Sequence, residues 1–401
     1  MVAWRQQQTR FRVVALFLVS LAVVLTVQMA TPAHSQTAPS PASEIRGVWL
    51  TNVDSDVLFS HNRLESAIHT LAQLNFNTLY PVVWNWGYTL YPSQVAERAS
   101  GIAVDPRIPE LALRDTIADA IALGHQQGMT VIPWFEFGFM TTAESELAAR
   151  HPDWLTQRRD GSKVWQETIY QRYWLNPFKP EVQQFVLDLV LEIVTNYDVD
   201  GIQFDDHFGL PSEFGYDDYT VQLYRQEHQG QDPPASYDNA EWVRWRANKL
   251  TTFMERVFYE VKARKPHAVL SLSPNHYSFA YNHSLQDWLL WARRGYVEEL
   301  VIQIYRDGLA AFTSELERSE VQEVKQHLPL VIGILSGLKD KPVPIQQVWE
   351  QAQAARTAGF PGISFFFYET LWNLSEEPQS DRQAVFQALF SSPASRPLKI
   401  S

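Results

Sequence analysis

The feature that most constrains the fold is a regular alternation of apolar, strand-like segments with helix-like segments from residue 45 to residue 390. Eight short runs have the length and composition of strands that are buried on both faces. They are Ile45–Asn52, Thr78–Trp84, Met129–Phe137, Val199–Asp205, Val269–Pro274, Leu300–Tyr305, Leu330–Leu335 and Ile363–Tyr368. Alternating units predict an α/β fold with a parallel sheet, and eight units in one domain predict a single (β/α)8 TIM barrel.

A helical segment follows each predicted strand. These segments are Asn62–Leu74, Pro109–Gln127, Pro180–Tyr197, 241–264, Leu285–Arg294, 309–326, Ile345–Ala358 and 380–390. Long loops, 138–179 and 206–240, follow strands three and four. A doubly wound open sheet is the competing layout, but it usually has a glycine-rich fingerprint after its first strand. Here Thr51-Asn52-Val53-Asp54 follows that strand without one.

The N-terminus has the composition of a targeting segment. Arg5, Arg10 and Arg12 precede an uncharged run, Val13–Val27, which is shorter than the ~20 residues of a membrane-spanning helix. This order predicts a signal peptide over residues 1–33, with a retained N-terminal anchor as the alternative.

Three further segments follow the predicted leader. Residues 34–43 form a spacer rich in Pro, Ala and Ser, residues 44–391 form the barrel domain, and residues 392–401 form a C-terminal tail. We therefore expect an exported protein of the periplasm or cell envelope, which contacts the membrane only through an uncleaved leader.

Composition and missing motifs exclude several classes of partner and chemistry. The formal net charge is −12, from 33 Lys and Arg against 45 Asp and Glu, which argues against binding nucleic acid. There is no cysteine, so disulfides, thiol nucleophiles and thiolate metal sites are excluded. Phosphate-loop, HExxH and GxSxG motifs are also missing. Asp205, Asp206 and His207 are adjacent on one strand and point apart, so we predict neither a metal nor a cofactor.

Polar residues concentrate at the carboxyl ends of the predicted strands, where (β/α)8 enzymes build their active sites. The candidate catalytic groups are Asp205, Glu136, Asp206 and Glu369, with Glu213 as a further candidate. Two carboxylates that flank a glycosidic bond are the working groups of most glycosidases.

The apolar neighbours of Glu136 predict a raised pKa, which suits a general acid, and Asp205 is then the nucleophile or base. In the alternative interpretation, Glu136 is a buried partner of Arg46.

Aromatic and hydrogen-bonding residues beside these acids are candidates for contacting a sugar. They are Asn52, Trp84, Trp134, His207, Asn275, Tyr305 and Tyr368. Large aromatic side chains dominate contact area in binding sites, although each of them is also a candidate for core packing.

Four sequence blocks resemble the family-10 glycosyl-hydrolase-like proteins. In chain order they are Glu44–Asn52 (EIRGVWLTN), Phe76–Trp84 (FNTLYPVVW), His151–Trp154 (HPDW) and Asp200–His207 (DGIQFDDH). The resemblance covers residues 44–390. It implies a (β/α)8 fold, glycosidase chemistry at Asp205 and Asp206, and peptidoglycan glycan strands as the first candidate substrate.

Two alternatives remain at this point. One is a barrel that binds a glycan without cleaving it, and the other is an α-glucan hydrolase, because amylase-like barrels also place an Asp at the end of strand four. The sequence therefore predicts an exported glycoside hydrolase that acts on a polysaccharide, and leaves open which glycan it cleaves.

Overall fold

The computed structural model describes residues 43–167 and 170–397. The predicted signal peptide and all but Ser43 of the predicted spacer lie outside these residues. Across the described ranges, every helix is too short or too polar to cross a membrane.

Eight parallel strands form a closed barrel, as the sequence predicts. They are β1 (Ile45–Leu50), β2 (Thr78–Asn85), β3 (Thr130–Val131 with Trp134–Phe135), β4 (Gly201–Asp205), β5 (Val269–Ser273), β6 (Glu299–Gln303), β7 (Leu330–Leu335) and β8 (Gly362–Phe366). Each strand pairs with its neighbours in the sequence, and β1 pairs with both β2 and β8 to close the circle. The single (β/α)8 barrel is therefore confirmed.

The third strand is interrupted, and this changes which side chains enter the barrel. Pro133 has no backbone N–H to continue the ladder, and it separates the two segments of β3. The neighbouring β2 shifts register between Val82 and Trp84. Such a bulge reverses the in-and-out alternation of the strand. Trp84 consequently packs outward, while Asn85 points into the barrel mouth.

Helices surround the barrel. The main ones are His61–Gln73, Thr116–Gln126, Pro180–Asn196, Ala240–Arg264, Trp288–Arg293, Leu309–Leu316, Ser319–Val324, Ile345–Thr357 and Gln379–Leu389. The prediction of one helix over Pro109–Gln127 is wrong. Arg114 is extended, so Pro109–Leu113 forms a separate 3₁₀ turn, and the Asp115 side chain caps the α-helix that follows.

The two long loops after β3 and β4 have their own secondary structure. The first contains helix Glu146–Arg150 and an antiparallel sheet of Met140–Thr142, Trp165–Glu167 and Tyr170–Trp174. The second contains helix Asp218–Glu227. A backbone bridge between Arg158 and Phe214 joins the two loops. They form a wall on one side of the barrel mouth.

The lower half of the barrel interior is polar. Tyr80 and Ser271 each donate a hydrogen bond to Glu299 Oε1, at 2.9 Å. Ser271 in turn accepts from Gln203 Nε2 at 2.9 Å, and Gln203 accepts from the Trp49 indole at 2.7 Å. These bonds satisfy buried polar groups that would otherwise destabilise the fold.

Residues 392–397, in the predicted C-terminal tail, pack on the amino-terminal end of the barrel. The backbone of Ser395 bridges to Ser43 and accepts a hydrogen bond from Glu44 N at 3.0 Å. Arg396 forms an ion pair with the buried carboxylate of Glu299 and donates to Thr78 Oγ1 at 3.0 Å. This segment therefore supplies the cation that the polar barrel interior requires.

We predict that Arg396→Gln lowers the free energy of unfolding by about 3–5 kcal/mol, because it leaves the Glu299 carboxylate buried without its charge partner. The matched control is Arg293→Gln, which removes an exposed ion pair with Glu323 and should have little effect. Urea denaturation of both variants measures the difference. Equal losses for the two variants would show that Arg396 makes no special contribution.

Candidate active site

Asp205 lies at the end of β4 and is buried at the centre of the barrel mouth. Its Oδ1 atom accepts hydrogen bonds from Gln303 Nε2 at 2.6 Å and from the backbone N–H of Asp206 at 2.8 Å. Its backbone carbonyl accepts from Gln286 at 2.8 Å. Gln203 and Asp205 share the inward face of β4, as predicted from strand alternation. The side chain is therefore fixed through its Oδ1 atom.

Glu136 follows β3 and is half-buried on the same side of the mouth. Its Oε2 atom accepts from Asn85 Nδ2 at 2.8 Å and from Thr51 Oγ1 at 3.3 Å. The alternative pairing with Arg46 is wrong, because Arg46 binds Glu44 at the opposite end of β1. Both of these partners of Oε2 are donors, so this oxygen is held as a hydrogen-bond acceptor.

Asp206 and His207 follow Asp205 and lie beside it at the mouth. Asp206 Oδ2 accepts from Asn275 Nδ2 at 2.6 Å, and Oδ1 lies 3.4 Å from His207 Nδ1. His207 Nδ1 is also 2.9 Å from the carbonyl oxygen of Glu136. Because a carbonyl only accepts, Nδ1 carries a proton, and Nε2 is an acceptor when the ring is neutral.

The three carboxyl groups of Asp205, Asp206 and Glu136 interact electrostatically. Burial raises the pKa of Asp205 well above its ordinary value, and the charges of Asp206 and Glu136 raise it further. The backbone N–H of Asp206 and the Trp134 indole oppose this rise. The Asp205 carboxyl therefore keeps its proton to a higher pH than an ordinary Asp does.

Aromatic side chains form the floor beneath these acids. Trp134 is 1% exposed, and its indole N–H has no partner at hydrogen-bond geometry within the described residues. Tyr305 stacks on Phe366 with ring centroids 5.8 Å apart. Burial, followed by the charges of Asp205, Asp206 and Glu136, raises the pKa of Tyr305 well above its usual range. Trp134 is therefore buried beneath the acids, and the partly exposed Tyr305 is the ring of this floor that a bound sugar would contact.

Glu369 and Tyr368 lie in a different group at the end of β8. Glu369 accepts from Ser55 at 3.1 Å and from Asn373 at 2.5 Å. Burial, followed by the charge of Glu369, raises the pKa of Tyr368 to about 12. Within the described ranges no hydrogen bond joins Glu369 to the three acids. It is therefore the weakest of the four catalytic candidates.

Asn52 and Trp84 contact other protein groups in ways that support the fold. Asn52 accepts from Asn85 at 2.8 Å, so it supports the residue that holds Glu136. Trp84 is 1% exposed, packs against Phe185 of the outer helix, and donates to the Gly138 carbonyl at 3.1 Å. The expectation that Trp84 lines the groove is therefore wrong, because the register shift in β2 turns it away from the mouth.

The roles of Asn85 and Gln303 were not predicted from the sequence, whereas Trp86 is one of the tryptophans that the sequence offers as lining the groove. The hydrogen bonds of Asn85 and Gln303 fix the two candidate carboxylates. Trp86 and Gly87 form the two-residue turn between Asn85 and Tyr88, both with positive φ, 61° and 86°. A bulky residue in this conformation is strained, and such residues cluster at functional sites. The sequence signal for Asn85 and Gln303 was their position at the ends of strands two and six.

Asp205, Asp206 and His207 each offer one ligand atom, all within 4.8 Å of one another. The His207 nitrogen nearest the acids already carries a proton, and Asn275 and Gln303 donate to the two carboxylates. To bind a cation beside the acids, His207 Nδ1 would have to lose its proton and its hydrogen bond to the Glu136 carbonyl, so the arrangement suits acid and base chemistry better than metal ligation.

Comparison with known proteins agrees with this geometry. The glycosyl hydrolase-like 10 family matches residues 44–354. This chain belongs to that family. Among curated relatives, glycosyl hydrolase DigH of Escherichia coli K12 is 25% identical over 341 residues, which cover 72% of this chain and 74% of that protein. Glycosyl hydrolase YngK of Bacillus subtilis is 22% identical over 282 residues, which cover 64% of this chain and 49% of that protein.

Solved structures show the same fold. The glycoside hydrolase domain of PgaB (BpsB) from Bordetella bronchiseptica has a TM-score of 0.63 at 12% identity, over 87% of this chain and 99% of that one. The catalytic domain of a β-amylase from Paenibacillus polymyxa has a TM-score of 0.60 at 10% identity, over 88% and 99%. At these identities the likeness concerns the fold alone. With the family assignment, it identifies the chain as a glycosidase of the (β/α)8 class.

We predict that Asp205→Asn raises the free energy of unfolding at neutral pH. A carboxyl with a raised pKa in the native state binds its proton more tightly in the folded than in the unfolded protein. Its contribution to stability is therefore lost as pH rises from the ordinary pKa of the group through its native pKa. The advantage of Asn should shrink as pH falls toward 4, near the ordinary pKa.

Thermal and urea denaturation across this pH range measure the effect. Asp232→Asn is the control, since that side chain is 70% exposed. A variant that is less stable than the wild type at neutral pH would contradict the burial of an uncompensated acid at this position.

Proposed function

We propose that this protein is an exported glycoside hydrolase that cleaves the glycan strands of peptidoglycan, with Asp205 as general acid and Glu136 as base or nucleophile. The observation that carries the proposal is the cluster of Asp205, Asp206 and Glu136 at the mouth of the barrel, above an aromatic floor. Glycosidases need one protonated and one ionised carboxyl group on either side of the bond that they cleave.

The assignment of roles follows from the surroundings of the two groups. Asp205 is buried and has its pKa raised by two neighbouring carboxylates, so it keeps a proton to donate to the leaving oxygen. Oδ2 is the atom that would donate, because Oδ1 is held by Gln303 and the Asp206 backbone. Glu136 is half-buried at the same mouth, and its Oε2 atom accepts hydrogen bonds from the neutral donors Asn85 and Thr51. These roles reverse those predicted from the sequence.

The chemistry of the floor suits a sugar ring. The rings of Tyr305 and Phe366 offer apolar faces for the C–H groups of a pyranose. The imidazole Nε2 of His207 offers an acceptor to hydroxyl or amide groups when the ring is neutral. Such alternating apolar and polar contacts are typical of small-molecule sites.

Family resemblance and the predicted signal peptide support peptidoglycan as the substrate. The family includes envelope proteins that prefer glycan strands stripped of their peptides, and an exported enzyme would meet this polymer outside the cytoplasmic membrane. The net charge of −12 suits a neutral or amino-sugar polymer better than a strongly acidic one.

The catalytic roles are tested with Asp205→Asn and Glu136→Gln. Loss of a general acid typically costs 10²–10⁴-fold in rate. We expect Asp205→Asn to lose activity on natural glycans, and to recover most of it on substrates whose leaving group needs no proton. Glu136→Gln should stay inactive on both. The wild-type rate should also fall as pH rises through the raised pKa of Asp205.

The matched control for both variants is Asp232→Asn, at an exposed position away from the mouth. Circular dichroism checks that each variant folds. Asp205→Asn with unchanged activity on natural glycans would remove Asp205 from the mechanism.

The substrate class is tested by incubating residues 43–401 with peptide-free peptidoglycan glycan, chitin oligomers and starch, with mass spectrometry of the products. Cleavage of the peptidoglycan glycan supports the proposal. Cleavage of starch alone would favour the α-glucan alternative, and binding without any product would favour a barrel that has lost catalysis.

A further inference from the structure

A cavity of about 320 Å³ opens beside the acid cluster, between the loops after β3, β4 and β5. Asp206 and His207 form the wall that it shares with the acid cluster, and Trp165 and Trp174 form another. We name it the Trp165 pocket. Its size lies at the lower end of the range for small-molecule sites, which suits a single sugar ring.

The floor of the Trp165 pocket is held by close backbone contacts. Leu210 N and Ser212 N donate to the carbonyls of Ser284 and His283, at 2.9 Å and 2.8 Å. The Trp174 indole donates to the Gly209 carbonyl at 3.0 Å. A Cβ atom at Gly209 would lie 2.3 Å from the Ser284 carbonyl oxygen, so only glycine permits this approach. The backbone that forms the floor is therefore fixed by contacts within the protein.

The aromatic walls of the pocket continue past the acids. Ring centroids of Trp165 and Trp174 are 5.8 Å apart, and those of Trp174 and His207 are 6.0 Å apart. The band goes on from His207 to Phe137 at 5.9 Å, and from Phe137 to Trp86 at 6.0 Å. The pocket thus adjoins the acid cluster through His207, and the aromatic band continues beyond the cluster to Trp86.

The charges around the pocket select the kind of sugar. Asp206 and Glu213 are the acidic side chains on its surface, and within the described residues neither Lys nor Arg lines it. Arg158 pairs with Glu213 from behind, over the ring of Phe214. A carboxylate on the bound ring would meet like charge, whereas a neutral or cationic ring would not.

We propose that the Trp165 pocket is a subsite for one uncharged or cationic hexosamine ring of the glycan, next to the bond that is cleaved. This inference rests on the proposed function and makes it more specific. A sugar that bears a carboxylate, such as a muramic acid unit, then occupies a neighbouring subsite. This placement fixes the register in which an alternating glycan is cleaved.

Binding to the full chain tests the subsite without relying on catalysis. In the Asp205→Asn background, isothermal titration measures chitotetraose, its glucosamine counterpart, and a β-1,4-linked tetraglucuronate. Phe279, on the helix after β5, also lines the pocket. We expect Trp165→Ala and Phe279→Ala to weaken binding of the first two by roughly tenfold, because each removes an aromatic wall. Tetraglucuronate should bind much more weakly than either.

Tyr259→Ala is the matched control, because Tyr259 is an exposed aromatic, as Phe279 is, at 59% and 41% exposure, and lies on an outer helix. Trp165→Phe should restore most of the affinity lost in Trp165→Ala. Glu213→Gln should reduce the difference in affinity between chitotetraose and tetraglucuronate.

Two outcomes would overturn the subsite. If Trp165→Ala and Phe279→Ala bind chitotetraose as tightly as Tyr259→Ala does, the pocket holds no sugar. The proposed function would still stand in that case, provided that Asp205→Asn is inactive. If tetraglucuronate binds as well as chitotetraose, the pocket does not select by charge. Failure of the wild type to cleave any glycan would instead count against the proposed function, and the binding result would still decide the subsite.

Discussion

The site depends on one electrostatic constraint, which is that three carboxyl groups share a partly buried space at the mouth of the barrel. Asp205 cannot ionise there easily, because burial and the charges of Asp206 and Glu136 all favour its protonated form. Groups forced to differ in protonation state can act as acid and base at one pH. The same crowding destabilises the folded protein, so stability and activity make opposing demands on Asp205.

The barrel resolves this conflict by holding each carboxyl group with separate donors. Gln303 from β6 binds Asp205, Asn275 after β5 binds Asp206, and Asn85 from β2 binds Glu136. Neutral amide donors satisfy the oxygens without cancelling their charges, as an Arg or Lys would do. These donors fix the positions of the three carboxyl groups, and the repulsion between the groups remains. The site therefore retains both a proton donor and a proton acceptor.

Much of this arrangement could be predicted from the sequence, because it depends on periodicity. Apolar runs identified the eight barrel strands, and alternation on β4 placed Gln203 and Asp205 on one face. Trp84 was misplaced because a bulge follows from the pairing of β2 with the interrupted β3, which no local pattern reveals. Asn85 was missed for the same reason. The packing of Arg396 joins the two ends of the domain and has no local signature either.

The division of labour between barrel and loops follows from their different rigidity. The catalytic candidates stand at strand ends, where paired neighbours on both sides fix the backbone. The surfaces that would distinguish one sugar from another lie on the loops after β3, β4 and β5, which can change in sequence without disturbing the strands. Here these loops are held by the Arg158–Glu213 pair and by the close approach of Gly209 to Ser284. Selection of the substrate can therefore diverge among related barrels while the three-acid cluster stays in place.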